Sequence, residues 1–236
     1  MSGLGASFGV PEGVRRVGAR SEGVARLVLV RHGEAVCNVS GTVGGKVGCT
    51  GLTDLGRRQV VALADRLVRT GELGVVDALY SSVLPRAVET ASLLAPALGV
   101  EAGSIMQDCD LCELHPGQAD AMSWQEVIDN FGVPDWDSEP DLLIAPDGES
   151  WTGFVARISQ TLRGLAERHT GEVVVAAVHA GVIEASLIGL LKIPPVAGRR
   201  GWVRIGHASL TEWEWEPTKS RWILVRVADA CGVPTA

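Results

Sequence analysis

Two unbroken apolar runs stand out along the chain, Leu27-Val28-Leu29-Val30 and Val173 to Val178. Each has strand length and no polar alternation, the pattern of strands buried on both faces. Between them the apolar positions recur at helical spacing. Thr53 is a candidate N-cap for a helix carrying Leu55, Val60, Leu63, Ala64 and Leu67, closed by Gly71 and Gly74. Asp77 to Ser81 reads as a short strand. Pro85 opens a helix expected to run to Leu98, and residues 100–106 read as a further strand. The periodicity then lapses from about 107 to 148, a stretch rich in Pro and Asp with one short helix expected around Ser123 to Asn130. It holds too few apolar residues for a core of its own, so it is expected to be a loop-rich cap over the sheet edge. Glu149 to Arg168 and Val182 to Leu191 return to helical spacing. Residues 203–227 alternate as two late strands turning near Pro217. This alternation predicts a three-layer α/β/α sandwich with a mostly parallel central sheet. It forms a single domain over 25–230, preceded by a leader, 1–24, expected to be flexible.

Composition narrows the function classes. The 236 residues carry a net charge of −7 and no basic tract, which excludes a phosphate-backbone grip on nucleic acid. No apolar stretch is long enough for a membrane helix, and the leader lacks the apolar centre of a signal peptide. Five irregularly spaced cysteines fit reduced thiols in a cytoplasmic protein.

Both apolar runs end in histidine. Arg31-His32-Gly33-Glu34 follows the first and His179-Ala180-Gly181 the second. Ligands of open α/β sheets bind outside the carboxyl ends of the strands, so parallel, adjacent strands would deliver both histidines to one site. A neutral imidazole can attack phosphorus, and an arginine fork can hold the equatorial oxygens. An acid must protonate the departing oxygen and later activate water. His32 is the candidate nucleophile, Arg31, Arg86 and His179 the candidate phosphate ligands, and Glu113 the candidate acid. A cation in a first helical turn opposes the helix dipole, so Arg86 directly after Pro85 points to a bound anion.

Further segments share a pattern with a known family: Leu-Val-Arg-His-Gly-Glu (29–34), Leu-Thr-Asp-Leu-Gly-Arg-Arg-Gln (52–59) and Ser-Ser-Val-Leu-Pro-Arg-Ala-Val-Glu-Thr-Ala (81–91). Leu-Cys-Glu-Leu (111–114), Gly-Glu-Ser (148–150) and Val-His-Ala-Gly (178–181) follow in order. In these the chain resembles the histidine phosphatase superfamily, with its phosphoglycerate-mutase-like fold. The resemblance implies that His32 is transiently phosphorylated and that Arg31, Arg86 and His179 complete the phosphate pocket. It also implies that Glu113 donates the proton, that Asn38 lines the pocket, and that neither metal nor other cofactor is needed. The chain departs from the pattern at Ala180, where the family often has glycine, and after the acid, where it reads His115-Pro116-Gly117-Gln118. That second departure leaves Asp108, Asp110 or Asp120 as alternative acids.

Several residues are set aside. Gly44-Gly45-Lys46 lacks the spacing and hydroxyl of a nucleotide-binding loop, though the resemblance places Lys46 near the substrate. Cys109-Asp110-Leu111-Cys112 lacks the second pair of a zinc site, so two unremarkable thiols are expected. His115 is expected to be a solvated loop residue, His169 and His207 structural or exposed, and Glu34 structural. No Lys or Arg occurs from Ala87 through Ala156. A cap without cations argues against a phosphomutase holding a bisphosphorylated acid. It favours hydrolysis of a small phosphomonoester whose other end is neutral, apolar or cationic. Trp124, Trp136 and Trp151 either wall that end or fill a thin core beneath the cap. A phosphomutase, a phosphoprotein phosphatase and a non-catalytic phosphate-binding module are the alternatives. A homodimer through an apolar face bearing Trp213 and Trp215 stays open.

Overall fold

The computed structural model describes residues 23–193 and 203–235; all but the last two residues of the expected leader lie outside them. Six strands form one sheet: β1 (Ala25–Arg31), β2 (Ala78–Ser81), β3 (Met106–Gln107), β4 (Val173–Val178), β5 (Leu210–Glu216) and β6 (Arg221–Asp229). Their order is β3-β2-β4-β1-β5-β6. The first four run parallel, while β5 and β6 add an antiparallel edge. Six α-helices surround the sheet: α1 (Val36–Ser40), α2 (Asp54–Thr70), α3 (Pro85–Leu94), α4 (Trp124–Phe131), α5 (Trp151–Arg168) and α6 (Ala180–Leu190).

The unbroken apolar runs are explained by the layering. Leu27 and Leu29 of β1, with Val174 and Ala176 of β4, pack against α5 and α6. Val28 and Val30, with Val173, Val175 and Ala177, pack against α2 and α3 on the other face. The expected sandwich is therefore present. Thr53 caps α2 through the amide of Gly56. Gly71 closes that helix at φ 59°, a left-handed geometry that glycine adopts without a Cβ penalty.

Local expectations fail where a single residue overrides the periodicity. α3 stops at Leu94, and residues 95–98 tighten into a 3₁₀ turn. Pro96 has no N–H to give to the carbonyl four residues back. Of the strand expected over 100–106, only Met106 pairs with β2, together with Gln107; residues 102–104 form a 3₁₀ turn instead. Trp213 and Trp215 do not form an exposed face: both are buried and pack edge-on and tilted against Trp222. The cap holds a small cluster of its own, Ala119, Val127, Ile144 and Ala145 closing on Val43. No helix among the described residues is long and apolar enough to cross a membrane.

Candidate active site

The register of the central strands assembles the site. Arg31 and Val178 are partners across β1 and β4, so the residues that follow them, His32 and His179, leave the sheet side by side. Their ring centroids lie 5.2 Å apart, and both rings are buried, at 3% and 0% exposure.

The hydrogen bonds of His32 determine its tautomer. Nδ1 lies 2.7 Å from the Gly33 carbonyl, which can only accept, so Nδ1 carries the proton. Nε2 keeps its lone pair and receives the Nε–H of Arg86 at 3.1 Å. Burial, then Arg86 and Arg31, hold the His32 pKa well below the usual histidine value. A neutral imidazole with its outward nitrogen unprotonated is the form a nucleophile requires.

Arg86 sits in the first turn of α3 and is itself buried. Its Nη1 donates to the Gly44 carbonyl at 2.6 Å and lies 4.0 Å from Cys37 Sγ. Arg31 donates to the Ile205 carbonyl at 2.5 Å, while its buried Nε has no partner. Its pKa is lowered by burial, partly offset by Glu113. His179 Nε2 lies 2.7 Å from Ser82 Oγ, which also accepts the amide of Leu84. When the serine proton goes to Nε2, His179 carries its own proton on Nδ1, a buried atom without a protein partner. Burial, then Arg86 and His32, push the His179 pKa well down. Two buried donors left unsatisfied and two guanidiniums at one point form a site for a polyvalent anion.

Glu113 faces this group from the cap side of the cavity. Its carboxylate accepts the amide of Gly181 at 3.1 Å and that of Leu114 at 3.2 Å. A Cβ at Gly181 would overlap a carboxylate oxygen of Glu113, so a side chain there would push that carboxylate from its place. The alternative acid Asp120 is occupied elsewhere: it accepts the amides of Gly45, Val47 and Gly48, each at 2.9 Å. Asp108 accepts the amide of Asp110 and caps a 3₁₀ turn. Neither Asp108 nor Asp110 lines the cavity. Asn38 does line it, with its side-chain oxygen tied to the amide of Ala35 at 3.1 Å. Glu34 accepts the hydroxyl of Thr53 at 2.7 Å, tying the histidine loop to α2.

The cavity measures about 390 Å³. Arg31, His32 and Arg86 line it together with Leu114, Ile144, Trp124, Trp136 and Trp151. Among the described residues, Arg31 and Arg86 are the Lys and Arg side chains that line it. Lys46 lies over a neighbouring, smaller cavity with His115.

Two residues escaped the sequence reading. His207, expected to be structural or exposed, brings its ring within 5.8 Å of His32; burial lowers its pKa to about 4. Its place follows from β5 running antiparallel to β1, with Leu210 opposite Val30, a register that no local signal announces. His115 is half-buried rather than solvated, with Nε2 4.0 Å from Cys109 Sγ.

Comparison with known proteins gives the same reading. The model of the histidine phosphatase superfamily (branch 1) matches residues 27–230, and the chain belongs to that family. It is 34% identical over 167 residues to the metal-independent phosphoserine phosphatase of Arabidopsis thaliana, covering 69% of this chain and 67% of that one. It is 33% identical over 164 residues to phosphoglycerate mutase-like protein 4 of the same plant, covering 68% and 69%. The structure of mycobacterial glucosyl-3-phosphoglycerate phosphatase complexed with VO3 superposes with a TM-score of 0.71 at 28% identity, covering 89% of this chain and all of that one. The chain is a phosphomonoester hydrolase of the histidine phosphatase type.

Proposed function

We propose that the protein hydrolyses a small phosphomonoester through a phosphohistidine on His32. His32 Nε2 attacks phosphorus as the P–O ester bond breaks, and the departing oxygen takes the proton of Glu113. Glu113 then removes a proton from water, whose oxygen attacks phosphorus and releases inorganic phosphate and neutral His32. Arg31, Arg86 and His179 hold the equatorial oxygens throughout, with Asn38 at the rim. The observation that carries this reading is the His32 tautomer, with Nε2 unprotonated and accepting from Arg86.

A cavity lined by two arginines and three tryptophans supports a substrate with one phosphate and an uncharged, apolar or aromatic remainder. It supports hydrolysis over mutase chemistry, because a bisphosphorylated acid needs cations at both ends. The five free cysteines support a reducing, cytoplasmic setting.

The test is phosphate release from a panel of sugar, glycerate, amino-acid, nucleotide and aryl monophosphates in EDTA, for wild type and His32→Ala. Wild type is expected to turn over at least one ester and to yield an acid-labile phosphoenzyme. The variant should lose both while keeping its fold. Equal turnover by the variant would remove His32 as the nucleophile.

A further inference from the structure

We propose that Cys109, Cys112 and His115 form a binding site for a thiophilic divalent cation of the zinc type. The Cys-x-x-Cys spacing alone offers two ligands; the fold adds the third. Cys109 and Cys112 Sγ lie 3.7 Å apart, and His115 Nε2 lies 4.0 Å from Cys109 Sγ. All three ligand atoms fall within 4.8 Å of one another. A tetrahedral ion with bonds of about 2.3 Å to sulfur and about 2.0 Å to nitrogen requires edges of roughly 3.8 and 3.5 Å. The sulfur–sulfur edge, at 3.7 Å, is already close to that value, and His115 Nε2 stands about 0.5 Å too far from Cys109 Sγ.

The surroundings are those of a built site. Cys109 to Leu111 is a 3₁₀ turn, and the amide of Cys112 returns to the Cys109 carbonyl at 3.0 Å. Arg157 clamps the turn by donating to the carbonyls of Asp110 and Cys112, at 2.8 and 3.1 Å. Glu149, paired with the same arginine, accepts the amide of His115 at 2.8 Å and lies 3.7 Å from its Nδ1. A carboxylate behind the far nitrogen of a histidine is the usual outer support of a metal-bound imidazole. Cys112 and His115 also line a second cavity of about 200 Å³ beside Lys46, which gives an ion a path in and a water its fourth position.

Binding displaces the protons of the two thiols to solvent, leaving two thiolates and a neutral imidazole on the ion. Glu113 stands between two of the ligands in sequence, so the ion would lock the loop that carries the proposed acid. It takes no part in phosphoryl transfer, and its binding does not depend on the proposed chemistry.

The test is titration of the reduced, metal-stripped full chain with Co²⁺ and then Zn²⁺. One equivalent of Co²⁺ is expected to give a thiolate-to-cobalt charge-transfer band that Zn²⁺ abolishes. Cys109→Ser and His115→Ala should lose tight binding with unchanged circular dichroism, while Cys231→Ser should keep it. Glu149→Gln should weaken affinity by roughly 10- to 100-fold. An unchanged cobalt spectrum in Cys109→Ser, or no uptake by reduced wild type, overturns the site. Formation of a Cys109–Cys112 disulfide by a chain that takes up no ion when reduced would identify a redox pair instead.

Discussion

The first strand carries an arginine near each end, Arg26 buried and Arg31 half-buried, and the two live in opposite circumstances. Arg26 is 3% exposed and meets Glu212, 1% exposed, through contacts of 2.8 and 2.6 Å, with the Leu73 carbonyl taking another N–H. Glu212 also pairs with Arg226 at 3.0 Å. Arg226 reaches Glu72 and Asp229, and both of those reach Arg66. Every cation in this network has a carboxylate. At the other end of the strand, Arg31 and Arg86 crowd two neutral histidines, and their acceptors are loop carbonyls and, for Arg86, the imidazole of His32. Paired buried charge is architecture, because the partner offsets the cost of desolvation. Buried charge without a matching carboxylate is held for an anion that arrives from outside.

The sharpest way to break this comparison is to delete one arginine from each end. Arg26→Ala leaves buried Glu212 with Arg226 as its remaining cation and should cost up to about 3–5 kcal/mol of stability, read as a fall in the urea midpoint. Turnover of whatever folded protein remains should be near that of wild type. Arg86→Ala should do the reverse. The melting temperature should hold or rise, because Arg31 has lost a repulsive neighbour, while kcat/KM falls by roughly 10²- to 10³-fold. Loss of stability in Arg86→Ala without loss of turnover would make both ends structural.

Glu113→Gln comes next in size. The amides of Gly181 and Leu114 go to different carboxylate oxygens of Glu113, so the glutamine keeps an oxygen for one of them and has no proton of the right acidity. A loss of roughly 10²- to 10⁴-fold in kcat is expected for alkyl phosphates. Aryl phosphates, whose phenolate leaves without help, should suffer far less. An equal loss for both classes would assign Glu113 to binding rather than to proton transfer.

How much of this was legible beforehand divides along the same line. The layers were readable because β1 and β4 are buried on both faces and therefore lack polar alternation. That Arg31, His32, Arg86 and His179 come together was readable because each stands at the boundary of a strand or helix whose period is strong. Residues placed by long-range pairing were not readable. His207 reaches the site through the register of β5, and His115 meets Cys109 because Arg157 and Glu149 of the α5 region draw the cap loop in. The absence of cations in the cap was visible as a run of residues. Its consequence, an aromatic wall to the cavity, needed the fold.

Acidification sharpens the comparison further. His32, His179 and His207 all have folded pKa values below the unfolded value near 6.5, chiefly through burial. The unfolded chain therefore binds more protons once pH drops, so the stability these groups confer is complete above pH 6.5 and is lost as pH falls. For His207 that loss spans pH 6.5 down to about 4. His207→Asn should flatten the decline in melting temperature over this window. The ion-paired network at the other end should contribute little there, since Glu72 and Asp229 are held below their ordinary values by their arginines. An identical pH slope in His207→Asn and wild type would show that this histidine does not titrate against folding.

The smallest effect tests the apolar lining of the site by the same logic of satisfied and unsatisfied groups. Trp213 is fully buried and gives its indole N–H to Ser186 at 3.1 Å, so it belongs to the core. Trp124 is half exposed on the cavity wall, at the start of α4. A large aromatic surface kept in water at a concave site is worth having only if a ligand covers it. Trp124→Ala should therefore leave the melting temperature nearly unchanged. It should raise KM for an aryl phosphate by roughly 2- to 10-fold, the range of one aromatic contact, with less change for a compact phosphate such as phosphoserine. If both substrates respond alike, the tryptophan supports the cap rather than the substrate, and the aromatic wall of the cavity loses its claim to selectivity.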